Sequence, residues 1–297
     1  MAWVIAHAGG IALAPLELAP AVLAAILYAV GVRRLAGTPR AVPAWRQSCF
    51  YGGLAVIVLA LVSPLGHVAE ELFVAHMAEH LLLADVGALL LVLGLTGPLL
   101  APVLRVPVLG RLRALAHPVV AFVLWAGNLA LWHVPALHEA AVRSDAVHAV
   151  QHLGFIALGA NMWMALFGPL PMPRWFGNAA RLVYITAVRL AGAVLANVLL
   201  FGGRAFYDVY AEGEAEWNLS PLADQNAAGA LMMVEESILT LLLFGWLFFR
   251  TAREGDERQE LLDLASSRGV ALSDERAARA VAAGRGGDLR RRIDPAP

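Results

Sequence analysis

The sequence predicts an all-α, polytopic integral membrane protein of seven transmembrane helices. Three observations predict it. Hydrophobic residues make up 60% of the 297-residue chain and charged residues only 15%. The apolar residues gather into uncharged or nearly uncharged blocks, and at ~1.5 Å of rise per residue a block of about twenty crosses a ~30 Å hydrocarbon layer. The blocks lack period-two alternation and are too long for barrel strands, whereas helices satisfy their own backbone groups in lipid.

In chain order the blocks run at 18–32, 47–66, 72–95, 114–137, 146–168, 180–203 and 225–249. The first is the shortest. The stretch from Met1 to Leu16 ahead of it has no basic segment, which argues against a cleaved signal peptide. Residues 1–250 therefore read as the transmembrane domain and 251–297 as a polar cytoplasmic tail, partly helical or disordered. Within the tail two short amphipathic helices are expected, the second capped by Ser273, followed by a frayed end.

Orientation follows from arginine, because the chain contains no lysine. Arg33, Arg34, Arg40 and Arg46 fill the first connection, Arg105, Arg111 and Arg113 the third, and Arg174 and Arg181 the fifth; Arg250 and Arg253 follow the last block. Cationic connections face the cytoplasm. The alternate connections carry Glu70 and Glu71, then Glu139, Arg143 and Asp145, then Asp208, Glu212, Glu214, Glu216 and Asp224. The N-terminus is thus expected outside and the C-terminus inside. The net charge of −1 sums two segregated surfaces, and no basic patch outside the cytoplasmic connections suggests nucleic acid. Cys49 is the single cysteine, so one chain can build neither a disulfide nor a Cys-x-x-Cys metal site.

With that orientation, eight of the nine histidines fall on the non-cytoplasmic side and only His117 on the other. His76 and His80 lie four apart on the third helix, and His148 and His152 four apart at the start of the fifth. An i, i+4 spacing stacks two imidazoles on one helix face, so each pair can ligate one ion or present ligands to a facing helix. His133 at the end of the fourth helix joins them. His7, His67 and His138 read instead as interfacial side chains. Imidazole suits zinc, copper, iron and nickel, and the absence of thiolate together with Met77, Met232 and Met233 on the same helices directs attention to copper or haem iron. Imidazoles must be neutral to bind, so metal affinity weakens as pH falls through ~6.5.

Deeper in the spans lie Asp85 on the third helix, Arg189 on the sixth, and Glu235 and Glu236 on the seventh. An unpaired charge there is costly, so Arg189 is expected to pair with one of these carboxylates, either fixing helix register or relaying protons or metal. Asn128, Asn161 and Asn197 read as interhelical hydrogen-bonding groups. Asp224 and Gln225 open the seventh helix, Asp224 as a cap or as a ligand.

Several of these residues form ordered motifs: His76-Met-Ala-Glu-His80-Leu-Leu-Leu continuing to Leu-Gly-Leu-Thr-Gly-Pro98, Trp132-His133-Val-Pro135, His148-Ala-Val-Gln-His152, and Asp224-Gln225 followed by Gly229 and Met232. Together they resemble the CtaG-like family of caa3-type cytochrome c oxidase assembly factors, over residues of roughly 10–250. The resemblance implies a multi-pass protein of the bacterial plasma membrane that assists biogenesis of a haem–copper oxidase by handling copper. It implies as candidate ligands His76, His80, His133, His152 and Asp224, with Met232 as a soft ligand.

The expected function is that of a copper-binding assembly factor and not of an enzyme. Its expected partners are cytochrome c oxidase subunits or other copper-handling proteins, and the lipid bilayer. Two rivals remain at this level. One is a haem-binding electron-transfer protein with axial histidines from facing helices. The other is a copper transporter with a path through Asp85, Arg189, Glu235 and Glu236. Neither histidine pair reads His-Glu-x-x-His, which counts against a zinc protease.

Overall fold

In the computed structural model of the chain, residues 15–106, 110 and 112–294 are described, and all regular structure among them is helical. His7 and Arg111 lie outside the described residues. Among the described residues six helices are long and apolar enough to cross a membrane: Leu18–Leu35, Ala44–Val62, Phe73–Gly94, Asp145–Phe167, Asn178–Phe201 and Pro221–Ser267. A bent pair, Pro118–Trp132 and Pro135–Arg143, supplies a seventh crossing if taken as one span. The protein is therefore a multi-pass membrane protein.

The bent pair corrects the reading of 114–137 as one unbroken block. The helix starts at Pro118, stops at Trp132, and turns by 75° before the next helix. Pro135 has no N–H to continue the ladder and forces the residue before it out of the helical region, as Val134 shows with φ −67 and ψ 123. His138, expected in a loop, consequently sits inside the helix Pro135–Arg143.

The third span is built in pieces, each with a local cause. Ser63 and Pro64 end the second span and start the helix Pro64–Glu71, with the Ser63 hydroxyl accepting from the Leu65 N–H at 3.3 Å. Leu72 is extended, so Phe73–Leu81 begins as a new helix. It then passes through a π-helical stretch, Leu82–Gly87, into Ala88–Gly94. Widened turns misalign the i→i−4 ladder, and here the Ala84 carbonyl accepts from Trp163 Nε1 on Asp145–Phe167 at 3.2 Å. Gly159 makes that approach possible, since a Cβ there would lie 2.5 Å from the Ala84 oxygen. Small residues that let helix backbones close together are the usual means of packing in lipid.

Aromatic stacking fixes the first span: Tyr28 lies over Phe50 with ring centroids 3.8 Å apart, and its hydroxyl donates to the Gly94 carbonyl at 3.0 Å. Phe73, Met77, Ala196, Leu199, Tyr207, Tyr210, Ala228 and Met232 form one buried apolar cluster.

The last span continues as a single helix to Ser267. A second compact unit covers Ile238–Pro297. In it Leu261, Ala265, Val281, Leu289 and Ile293 bury one another. Ser273 caps Asp274–Ala282 through its side chain, and a further helix, Gly286–Ile293, stands where the sequence reads as a frayed end.

Candidate metal centre

The histidines read as two spaced pairs converge. His76 and His80 lie on one face of Phe73–Leu81, with ring centroids 4.3 Å apart; His148 and His152 do so on Asp145–Phe167 at 4.0 Å. Across the helix interface His76 stacks on His148 at 5.3 Å and His80 meets His152 edge-on at 5.5 Å. Two triads result, His76, His80 and His148, and Glu79, His148 and His152, in each of which the candidate ligand atoms lie within 4.8 Å of one another. His148 belongs to both.

The site is enclosed. His76 is 0% exposed, Glu79 2%, and His80 and His152 4%. His76 Nδ1 lies 3.3 Å from the Ala69 carbonyl, which can only accept, so the hydrogen bond places the proton on Nδ1 and leaves Nε2 with a lone pair. That Nε2, both nitrogens of His80 and Nε2 of His148 have no hydrogen-bond partner. Neither has the side chain of Gln151, which is fully buried on the same helix face as His148 and His152. A buried polar atom left unsatisfied costs about 1–3 kcal/mol, and such groups are normally met by an ion, water or another polar group. A cluster of lone pairs fits a cation. Glu79 Oε2, 3.5 Å from His152 Nε2, adds a carboxyl oxygen to the same wall.

The other candidates are placed differently. His133 sits at the bend with Nδ1 2.7 Å from the Leu129 carbonyl and Nε2 3.4 Å from the Met77 sulfur, outside both triads. Met232 lies in the apolar cluster with Met77 and Phe73. Asp224 is fully buried, and its two oxygens accept from the Phe73 and Val74 N–H groups at 2.6 and 3.0 Å. It therefore caps the helix bearing His76, an arrangement its position at the start of its own helix did not suggest. Gln225 bridges chain segments, accepting from Phe206 N–H at 2.8 Å and donating to the Leu199 and Arg204 carbonyls. His67 pairs with Glu71 at 3.4 Å on the surface, and His117 lies against Trp175.

Three members were missed by sequence reasoning. Glu79 completes an i, i+3, i+4 face with His76 and His80, a signal present within the motif. Gln151 stands likewise at i+3 from His148. His138, read as interfacial, is 0% exposed, 4.8 Å from the His76 ring, and hydrogen-bonded through Nε2 to the Tyr210 hydroxyl at 2.8 Å; the bend at Pro135 brings it inward.

Beside the capping aspartate, burial and the neighbouring Asp224 carboxylate push Glu214 up to about 7. Elsewhere in the spans, Arg189 meets not one carboxylate but three: Asp85 at 3.2 Å, Glu236 at 3.1 Å and Glu235 at 3.8 Å.

Comparison with known proteins agrees with this architecture. A family model described as cytochrome c oxidase caa3 assembly factor matches residues 26–254. No curated protein and no solved structure matches the chain. The match covers most of the chain, and the protein belongs to that family.

Proposed function

We propose that this member of the caa3 cytochrome c oxidase assembly factor family binds copper at the histidine cluster and delivers it to the oxidase during assembly, turning over no substrate of its own. The observation that carries the reading is the convergence of His76, His80 and His148, whose unpartnered nitrogens lie within 4.8 Å of one another in a buried site. Imidazole with a flanking carboxylate suits a borderline transition-metal ion, whereas calcium and magnesium take more oxygen ligands. Of such ions, copper and haem iron are those a haem–copper oxidase requires. The packing favours a bare ion over haem, because His76 and His148 lie nearly parallel at 5.3 Å, too close for a macrocycle between them.

The arginine distribution supports an orientation with the cluster on the non-cytoplasmic side of the bacterial plasma membrane. The partners in this reading are oxidase subunits or other copper-handling proteins. Metal analysis of purified protein after cuprous loading tests the proposal. Copper is expected in the wild type and not in a His76→Ala/His80→Ala variant of unchanged fold. Equal, near-zero copper in both would overturn it.

A further inference from the structure

We propose that Arg189, Asp85, Glu235 and Glu236 form a proton-binding site within the membrane, in which Arg189 and Asp85 are a fixed ion pair and the two glutamates are protonated and exchange their protons. The site is separate from the histidine cluster and stands whether or not the histidines take copper.

Arg189 Nη2 donates to Asp85 Oδ1 at 3.2 Å. Nη1 faces both glutamates, at 3.1 Å from Glu236 Oε2 and 3.8 Å from Glu235 Oε2, and neither contact has hydrogen-bond geometry. Three ionised carboxylates against one guanidinium would leave two uncompensated negative charges in a region shielded from water, an arrangement that interiors do not sustain. Arg189 is itself 4% exposed and its Nε has no hydrogen-bond partner.

An ionised carboxylate in an interior keeps its charge by accepting several hydrogen bonds. Both oxygens of Glu235 and Oε2 of Glu236 accept none.

The groups facing the pair are few. Asp85 comes from the third span, Arg189 and Tyr184 from the sixth, and the Trp163 ring lies 5.6 Å from the guanidinium carbon. The Tyr184 hydroxyl is occupied with the Met162 carbonyl at 3.1 Å. Gly192, on the helix of Arg189, leaves the space that the glutamate fills, since a Cβ there would collide with Glu236 Oε1. The Glu235 side chain is 16% exposed against 8% for Glu236, so Glu235 is the less enclosed of the two.

Infrared difference spectroscopy of the full-length, metal-free protein in liposomes tests the proposal through the carbonyl stretch of protonated carboxyl groups. The wild type is expected to show such a band at neutral pH that is lost on alkalinisation. Glu235→Gln and Glu236→Gln should each remove one carboxyl band from the neutral-pH spectrum. If Glu236→Gln fails to fold, Glu235→Gln, at the more exposed position, decides alone. A wild-type spectrum from which Glu235→Gln subtracts nothing would overturn the proposal. So would loss of the band on adding sodium chloride at fixed pH, which would make a monovalent cation the occupant.

Discussion

Asp224, at the start of the last span, holds the N-terminus of the helix that begins at Phe73: its Oδ2 accepts from the Phe73 N–H at 2.6 Å and its Oδ1 from the Val74 N–H at 3.0 Å. The first N–H groups of a helix have no partner within it, and a carboxylate there is favoured by both hydrogen bonding and the helix dipole. The cap is thus supplied from a distant part of the chain. It sets the axial position of His76, Glu79 and His80, which follow within two turns.

Asp224→Ala should therefore lower stability by about 1–2 kcal/mol, the usual worth of a lost N-cap, with Asp224→Asn retaining most of it. Denaturation midpoints of the purified variants check this. Copper binding should weaken in Asp224→Ala without disappearing. Unchanged stability with complete loss of metal would mean that Asp224 is a ligand and not a cap.

The cap is also the place where pH should be felt. Burial, then the Asp224 carboxylate beside it, raise Glu214 from 4.5 to about 7 in the folded protein. The native state then binds this proton more tightly than the unfolded chain, so the stability contributed falls as pH rises from about 4.5 to about 7 and is level above that window. Glu214→Gln, a mimic of the protonated form, should flatten this part of the profile. Denaturation midpoints measured across the window would show parallel curves for wild type and variant if Glu214 were an ordinary surface carboxylate.

Gly159→Ala tests the backbone contact at the π-helical stretch. Its Cβ would meet the Ala84 carbonyl oxygen at 2.5 Å and its Cα at 3.1 Å, both backbone atoms that cannot swing away. Overpacking of this kind costs about 1–3 kcal/mol. The variant should also lose the Trp163–Ala84 hydrogen bond, seen as a shift in tryptophan fluorescence. Gly127, where an added Cβ would meet nothing within 4 Å, is the control: Gly127→Ala should be neutral or mildly stabilising.

What the sequence could disclose followed from periodicity and charge. The apolar blocks located the six long helices, because hydrocarbon thickness sets block length; the i, i+4 spacings of His76 with His80 and of His148 with His152 fixed two helix faces. What it could not disclose depends on which faces meet. Pro135 signals a break but not its 75° direction, and that direction carries His138 to the His76 ring. Asp224 reads as a cap for its own helix, and only packing reveals that it serves Phe73. The π-helical stretch Leu82–Gly87 carries Asp85 among apolar residues, and that charge signals a partner but not the widened turn.

The two triads distinguish histidines that the sequence could only group. His148 belongs to both, whereas His133 stands outside them, with Nδ1 on the Leu129 carbonyl and Nε2 beside the Met77 sulfur. If copper binds as proposed, His148→Ala removes a ligand from either possible position of the ion, and affinity should fall by at least about tenfold, the smallest loss seen even for supporting residues of metal sites. His133→Ala should leave copper stoichiometry at the wild-type value and act through packing at the bend, lowering stability instead. Competition titration with a cuprous chelator measures both. The reverse pattern, with His133→Ala losing copper and His148→Ala keeping it, would move the ion to the His133–Met77 pair and displace the triads as its site.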